Sequence, residues 1–488
     1  MTPLNTSWAI GVNNKAQPVI ERCSSQDRLD PEVSVLVIGA GACGLSAALA
    51  VHDAGQDVLV LERDVLPRGS TAMSSGFVPA AGTRWQRERG VEDSADLMAN
   101  DIQAKNHHQA NPVVVRSLAE HSAQVLEQLA DRHEVPFELV EGFLYPGHSV
   151  MRMHCTPRRT GEELMGALLQ ACEKSSIDIL TECTVRHLLV DEFDRVMGVA
   201  LQRPDGSWDR IGCCALILAC SGFGGHAELV GQHLPYMKDA VFYGHTGNQG
   251  DALRWGQALG AATGDLGACQ GHGSLAWPHQ TLISWALMMQ GGVQVNRSGV
   301  RFSNEHKGYS EQARTVLEQP GRIVWNIYDG RIHDAALSFE DYRQAHAAMA
   351  VKSAHTVSEL ALLTQLPQDA LSQTLAQVRV LCEQGRTDEF GRAFGPDQQL
   401  KGPWFAIQVT GALFHTQGGL EIDAQGRVLR AGDHQPFPNL FAGGGAARGV
   451  SGAGDSGYLS GNGLLSAVVM GHLAGRSAAQ LTQPDALR

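Results

Sequence analysis

Apolar and polar positions along this chain follow two rhythms, and the change between them marks its organisation. Val35–Ile38 and Val58–Leu61 are continuous apolar runs of the length of buried parallel strands. Between them, LSAALAVHDAG carries a helical pattern that ends at Gly55. Residues 94–132 predict two amphipathic helices, and TGEELMGALLQACEK (160–174) predicts another, opened by a Thr160–Glu163 capping box. Strand-like stretches at 177–184, 185–190 and 196–202, with a turn at Pro204-Asp205-Gly206, predict a small β-meander. The apolar run 215–219 enters the glycine turn SGFGG, and TGNQGD leads into a helix over 252–259. From about His279 to Phe414, charged amphipathic helical segments (339–351, 357–364, 368–384) replace this alternation, as in a separate, α-rich inserted domain. Strand and glycine signals resume at His415, and the last helix spans about 463–480.

The stretch GAGACG sits between the first two apolar runs, and its parts have mechanical reasons. Gly39 permits a tight turn, Gly41 lets a pyrophosphate approach the backbone, and Gly44 lets the helix pack close on the strand. Ala42 and Cys43 lie at the helix N-terminus, whose free N–H groups and dipole suit phosphate. Glu62, 23 residues after Gly39 and followed by Arg63, can accept both ribose hydroxyls of an adenosine. An acid there favours FAD or NAD over NADP. Four further glycine- or hydroxyl-rich places are candidate cofactor contacts. They are GSTAMSSG (Ser70, Thr71, Ser75, Gly76), the turn at Ser221-Gly222, the cradle with Asn248 and Asp251, and the closing turn at Gly444-Gly445. Asn462, Gly463 and Leu464 at the start of the last helix complete the set.

Composition narrows the classes. A chain of 488 residues, 43% hydrophobic, can bury a large core in two or three domains. A net charge of −13 offers no footprint for a nucleic-acid partner. The ten cysteines form no C-x-x-C pair, so buried free thiols in a reducing cytoplasm are the simpler expectation. The first 30 residues are polar without a secretory h-region, and no apolar run approaches 18 residues, so no membrane span is expected. No metal site is predicted.

The motifs GAGACG…LER, GSTAMSSG, LILACSGFGG, TGNQGDA, GGVQVNRSGVRFSNE, FHTQGGLEID, NLFAGGGAARG and SGNGLL occur in order over residues 33–478. Together they resemble the fumarate reductase/3-ketosteroid dehydrogenase group of FAD flavoproteins. The resemblance implies an α/β fold: a Rossmann-type, glutathione-reductase-like domain binding FAD non-covalently, interrupted by an α+β capping domain. The implied limits are 1–32 for an N-terminal extension, 33–278 and 415–488 for the FAD-binding domain, and 279–414 for the cap. It also implies hydride transfer between a substrate carbon and the flavin.

The departures bear on substrate. His272 and His415 match histidines of the soluble fumarate reductases. The arginine that delivers a proton in those enzymes is Tyr309 here, and the arginine that clamps a substrate carboxylate is Tyr458. The acid and arginine of their proton path align with Trp285 and Met288. Losing both guanidinium groups removes bidentate clamping of a dicarboxylate. Tyrosines at these places resemble ketosteroid dehydrogenases, and Tyr458-x-Ser460 resembles the form that desaturates the 4,5 bond of a 3-ketosteroid. This implies Tyr458 or Ser460 near the ketone and Tyr309 in proton abstraction, with Lys307 and Arg301 as candidate cations to lower its pKa. Trp277 and His279 are candidate pocket residues at the hinge. The expected partners are a small-molecule ketone, steroidal or a carboxylate-bearing ring, and a separate electron acceptor. The alternatives are an ene-reductase of an unsaturated acid and a non-catalytic flavin redox sensor.

Overall fold

The structure, a computed structural model, describes residues 19–142 and 144–483. Strands β1 (Val19–Arg22) and β2 (Glu32–Ile38) precede helix α1 (Ala42–Asp53) and strand β3 (Val58–Leu61). Strands β4 (Asp178–Leu180), β5 (Thr184–Val190), β6 (Val196–Gln202) and β7 (Trp208–Leu218) follow. With two C-terminal strands they form a nine-stranded sheet in the order β1-β5-β6-β7-β2-β3-β4. Val35, Leu36 and Val37 are fully buried, which is why β2 reads as a continuous apolar run. The pairs β7–β2, β2–β3 and β3–β4 are parallel, so Asp178–Leu180, expected as the first strand of the meander, joins the main sheet, and the antiparallel meander consists of β5, β6 and the first half of β7.

A second sheet of six strands contains β8 (Cys269–Ala276), β9 (Ile323–Asp329) and β10 (Trp404–Thr416). Helix α2 (Tyr309–Leu317) lies across β8 and β10. Its close approach needs Gly271 and Gly411, where a Cβ would come within 2.6 Å of Ala313 Cβ and 2.5 Å of Ala313 O. The segment read as α-rich therefore contains strands paired antiparallel, of which Val293–Val295 and Val351–Ala354 are too short to give a clear period. A hydrophobic cluster reaching from Ala276 to Val409 forms its core, distinct from the cluster around β2 and α1.

The chain closes with β11 (Pro436–Ala442), parallel to β7, and helix α3 (Asn462–Leu481). Helices α1 and α3 meet backbone to backbone. A Cβ at Gly471 would lie 2.4 Å from Cys43 O, and one at Gly475 would lie 2.3 Å from Ala47 O. All residues of α1 from Ala42 to Val51 are buried, so this helix has a packing surface all round.

Three local expectations change. Residues 1–18 of the anticipated extension lie outside the described residues, but Val19–Arg22 is no loose strap: it pairs parallel with β5. The Thr160–Glu163 capping box is half formed. Thr160 Oγ1 accepts from Glu163 N at 3.3 Å, while the Glu163 carboxylate accepts from Arg158 N at 2.6 Å. Within GSTAMSSG, residues Gly69–Ala72 form a helical turn rather than an open loop. No helix among the described residues is long and apolar enough to cross a membrane.

The motif RFSNE organises the second core electrostatically. Glu305 is fully buried and pairs with Arg392 at 2.9 Å and Arg301 at 2.7 Å, and Arg301 also pairs with Asp388 at 2.6 Å. Burial pushes the Glu305 carboxyl up, but the Arg392 and Arg301 guanidinium groups outweigh it and hold the carboxyl at about 2. Such a depressed carboxyl stabilises the fold fully above its unfolded value of about 4.3. That contribution is lost as pH falls towards about 2. Glu305→Gln leaves buried Arg392 without its carboxylate, while Arg301 keeps Asp388, and should cost about 3–5 kcal/mol. Urea melts at pH 7 and pH 3 should show a large gap between wild type and variant that narrows in acid.

Candidate functional site

One large cavity of about 910 Å³ lies between the two sheets and is lined by the candidate residues in two groups. The first comprises Gly39, Gly41, Ala42, Cys43, Glu62, Arg63, Ser70, Thr71, Ser75, Gly76, Ser221, Asn248, Asp251, Gly444, Gly445, Gly463 and Leu464. Three anticipated contacts do not line it. Gly44 faces strand and turn, where a Cβ would sit 1.8 Å from Gly39 O. Gly222 packs on Thr416 Oγ1, and Asn462 is fully buried within the protein with neither amide atom partnered.

The first group fits a dinucleotide. Gly39 takes φ +105° in the tight turn, where a Cβ would come within 2.6 Å of Ala219 O. At Gly41 the nearest atom to such a Cβ is Thr71 Oγ1, 3.7 Å away, so the backbone there is open to a close ligand. Helix α1 has no side-chain N-cap, leaving its dipole end free for an anion, and Thr71 Oγ1 accepts from Ala42 N at 3.1 Å. Glu62 is held rigid by Ala40 N at 2.9 Å and Asp64 N at 3.0 Å, with lone pairs remaining for hydroxyl donors. The buried Ser466 hydroxyl on the cavity wall has no partner in the protein. Asn248 and Ser70 act on each other, since the Asn248 amide and His245 N donate to Ser70 Oγ at 2.9 and 3.2 Å. Arg63 braces the same loop through Gly247 O at 3.2 Å.

The second group joins Tyr309, Tyr458, Ser460, His272 and His415 on one aromatic wall. His272 stacks on Tyr309 with ring centres 4.9 Å apart, Tyr309 meets Tyr458 edge-on at 6.2 Å, and Tyr458 meets His415 at 5.8 Å. Phe414 stacks on His272 from the other side. Burial pushes the Tyr309 phenol up to about 12, opposed by hydrogen bonds from Ser460, Tyr458 and Gln270. Burial pushes Tyr458 well above its ordinary value, and donating to Tyr309 adds to that rise. Burial also lowers His272 to about 3 and His415 to about 4, so both imidazoles are neutral at pH 7.

Several anticipated partners of this wall are elsewhere. Arg301 is locked to Glu305 and Asp388, and Lys307 is solvent-exposed. Hydrogen-bond donors, not cations, are therefore what lower Tyr309. Trp285 does line the cavity, edge-on to His272, and donates to Glu305 O at 3.1 Å, while Met288 is buried in the second core. Trp277 and His279 are exposed and line nothing. Gln270 was not anticipated: it has no partner in local sequence, and only the pairing of Gln270 with His415 across β8 and β10 brings it to Tyr309.

This is the site of a flavoprotein, a dinucleotide cradle continuous with an aromatic wall carrying acid–base side chains. The chain belongs to the FAD binding domain family, which matches residues 34–464. It is 28% identical over 458 residues to a fumarate reductase (cytochrome) of Shewanella frigidimarina, covering 93% of this chain and 78% of that one. It is 27% identical over 548 residues to 4-oxocyclohexanecarboxylate 2-dehydrogenase of Sinomonas cyclohexanicum, covering 91% and 92%. The crystal structure of 3-ketosteroid-delta4-(5alpha)-dehydrogenase from Rhodococcus jostii RHA1 superposes with a TM-score of 0.76. At 23% identity over 94% of this chain and 99% of that one, it shows the shared fold alone. The cofactor is FAD, and the protein is an FAD-dependent oxidoreductase.

Glu62→Gln removes the charge offered to the ribose. With charge-assisted hydrogen bonds worth about 1.5–3 kcal/mol, FAD affinity should fall roughly 10- to 100-fold. Flavin fluorescence titration of the apoprotein measures this, and unchanged affinity would exclude the assigned role.

Proposed function

We propose that the protein desaturates the CH–CH bond α,β to the carbonyl of a cyclic ketone, of the 3-ketosteroid kind or a related, carboxylate-bearing ring. The observation that carries this reading is the gathering of Ser460, Tyr458 and Gln270 as donors to the Tyr309 oxygen. When bound, FAD supplies the acceptor for the β-hydride. The α-proton passes to Tyr309, whose oxygen is the best supported of the wall for negative charge. The abstracted proton takes up one lone pair of the Tyr309 phenolate, so Ser460 and Gln270 serve the other two and Tyr458 turns to the ketone. Gly463 N–H, at the start of α3, donates to the Tyr458 oxygen at 3.4 Å and so supports that role. A donor on the ketone oxygen stabilises the enolate-like charge as it develops. Ser460 is held by its own carbonyl, which lies 3.0 Å from His148 Nε2.

Neutral His272 and His415 supply no charge for a dicarboxylate. Exposed Arg158 and Arg159 on the cavity rim offer guanidinium groups for one ring carboxylate. The likeness to a 4-oxocyclohexanecarboxylate dehydrogenase supports such a substrate. The likeness to fumarate reductase favours a second reading, reduction of an unsaturated acid.

Anaerobic mixing separates the two. Saturated cyclic ketones should bleach the flavin band of the oxidised enzyme, and Tyr309→Phe should slow bleaching on the order of a hundredfold or more. Tyr458→Phe should slow it by a similar factor. Because the base is the deprotonated form of a group near 12, the bleaching rate should climb with pH over the alkaline range, and the climb should vanish in Tyr309→Phe. Reoxidation of reduced enzyme by an enoate, with no bleaching by any ketone, would establish the second reading instead.

A further inference from the structure

Gln417, in the motif HTQGG, lines the cavity beside His415. Its side chain is 5% exposed and links two segments. Gln417 Nε2 lies 2.9 Å from His415 Nδ1, and the Ser451 hydroxyl donates to Gln417 Oε1 at 2.7 Å. Its backbone is fixed on both sides, with N donating to Ala268 O at 2.8 Å and O accepting from Gly449 N at 2.8 Å. The other ring nitrogen, Nε2, faces the start of α3, where a Cβ at Gly463 would come within 2.7 Å of it. We propose that Gln417 is a positioning residue: the chain Ser451–Gln417–His415 keeps Nδ1 an acceptor and thereby presents Nε2–H as a fixed donor to the cavity.

Two contacts compete for Nδ1. Thr416 O, at 3.3 Å, can bond only a protonated Nδ1, whereas the Gln417 amide bonds an unprotonated one at shorter range. A neutral imidazole has a single N–H, so this choice decides whether the ring offers the cavity a donor or an acceptor. Tyr458 is the titratable side chain whose ring faces His415, and no carboxylate, lysine or arginine among the described residues shifts it. Nearby Arg448 is paired with Asp265 and Glu421. The amide is thus the group that selects the tautomer. As a donor, Nε2–H stabilises negative charge developing on an oxygen beside Tyr458.

This role rests on the proposed reaction only for its kinetic consequence, so the first test avoids turnover. In the FAD-bound protein labelled with 15N-histidine, the His415 ring signals are identified by their loss in His415→Gln. They should show an unprotonated Nδ1 and a protonated Nε2, and in Gln417→Met the proton should move to Nδ1, towards Thr416 O. A protonated Nδ1 in the wild type would overturn the proposal, as would an unchanged tautomer in Gln417→Met. The second test reads pH. In Gln417→Glu a carboxylate accepts from Nδ1–H, so neutral His415 presents a bare Nε2 and only the imidazolium restores the donor. Ketone-driven flavin bleaching in Gln417→Glu should be on the order of a hundredfold slow at pH 8. Its rate relative to wild type at the same pH should recover as pH falls through the raised His415 pKa, because wild type loses rate with the Tyr309 phenolate while Gln417→Glu regains the donor. A Gln417→Glu profile parallel to wild type would also overturn the assignment. Correct tautomers with no ketone activity in any variant would leave the positioning role standing and remove the proposed reaction.

Discussion

The backbone contact between α1 and α3 is the constraint on which the rest of the molecule depends. Gly471 and Gly475 let the terminal helix lie against Cys43 and Ala47 with no side chains between them. Helix α1 is thereby buried along its length and set on β2, and α3 is aligned so that its first turn reaches the same cavity as the first turn of α1. Two helix N-termini from opposite ends of the chain then line one cavity. A single added methyl at either glycine would meet a backbone carbonyl, which cannot retreat without moving the whole helix.

The electrostatics of the second sheet set the character of the reactive wall. Its arginines are consumed internally, with Arg301 and Arg392 buried around Glu305 and Asp388. The reactive wall itself is aromatic and neutral: Tyr309, Tyr458, two uncharged imidazoles, Phe414 and Trp285. Burial alone would make both tyrosines poor acids. The difference between them is one of direction: Tyr309 accepts from several donors, while Tyr458 donates to it and accepts from Gly463 N–H. In the proposed reaction that asymmetry separates a base from a donor using two residues of the same type.

Legibility followed the range of the interactions. The strand–turn–helix unit at 35–61, the two meander strands at 184–190 and 196–202 and the two helices of 94–132 are written in local periodicity, and each appears within a few residues of its expected limits. Elements that failed were those whose partners are remote. Strand β1 exists because β5 offers it an edge, and the short strands of the second sheet exist because β9 and β10 do. Glu163 pairs with the Arg158 backbone instead of closing its own capping box. Among site residues, the five of the aromatic wall and the glycine turns were legible from motif order. Gln270 was not, since a glutamine on a strand has no signature, and the supposed cationic help from Arg301 failed because its partner Asp388 lies far along the chain.

By itself the sequence determined the cofactor's cradle, since glycine spacing, the flanking apolar runs and the acid at Glu62 are all local and each has a steric or electrostatic reason. It also determined which residue types stand where a family of flavoproteins places its chemistry. Only the tertiary structure decided what those residues are to one another. Whether Tyr309 accepts or donates, which nitrogen of His415 faces the cavity, and where the guanidinium groups spend their charge depend on hydrogen-bond partners brought together across β8, β10 and α3. Protonation and direction are properties of contacts, and contacts between residues far apart in sequence exist only once the chain has folded.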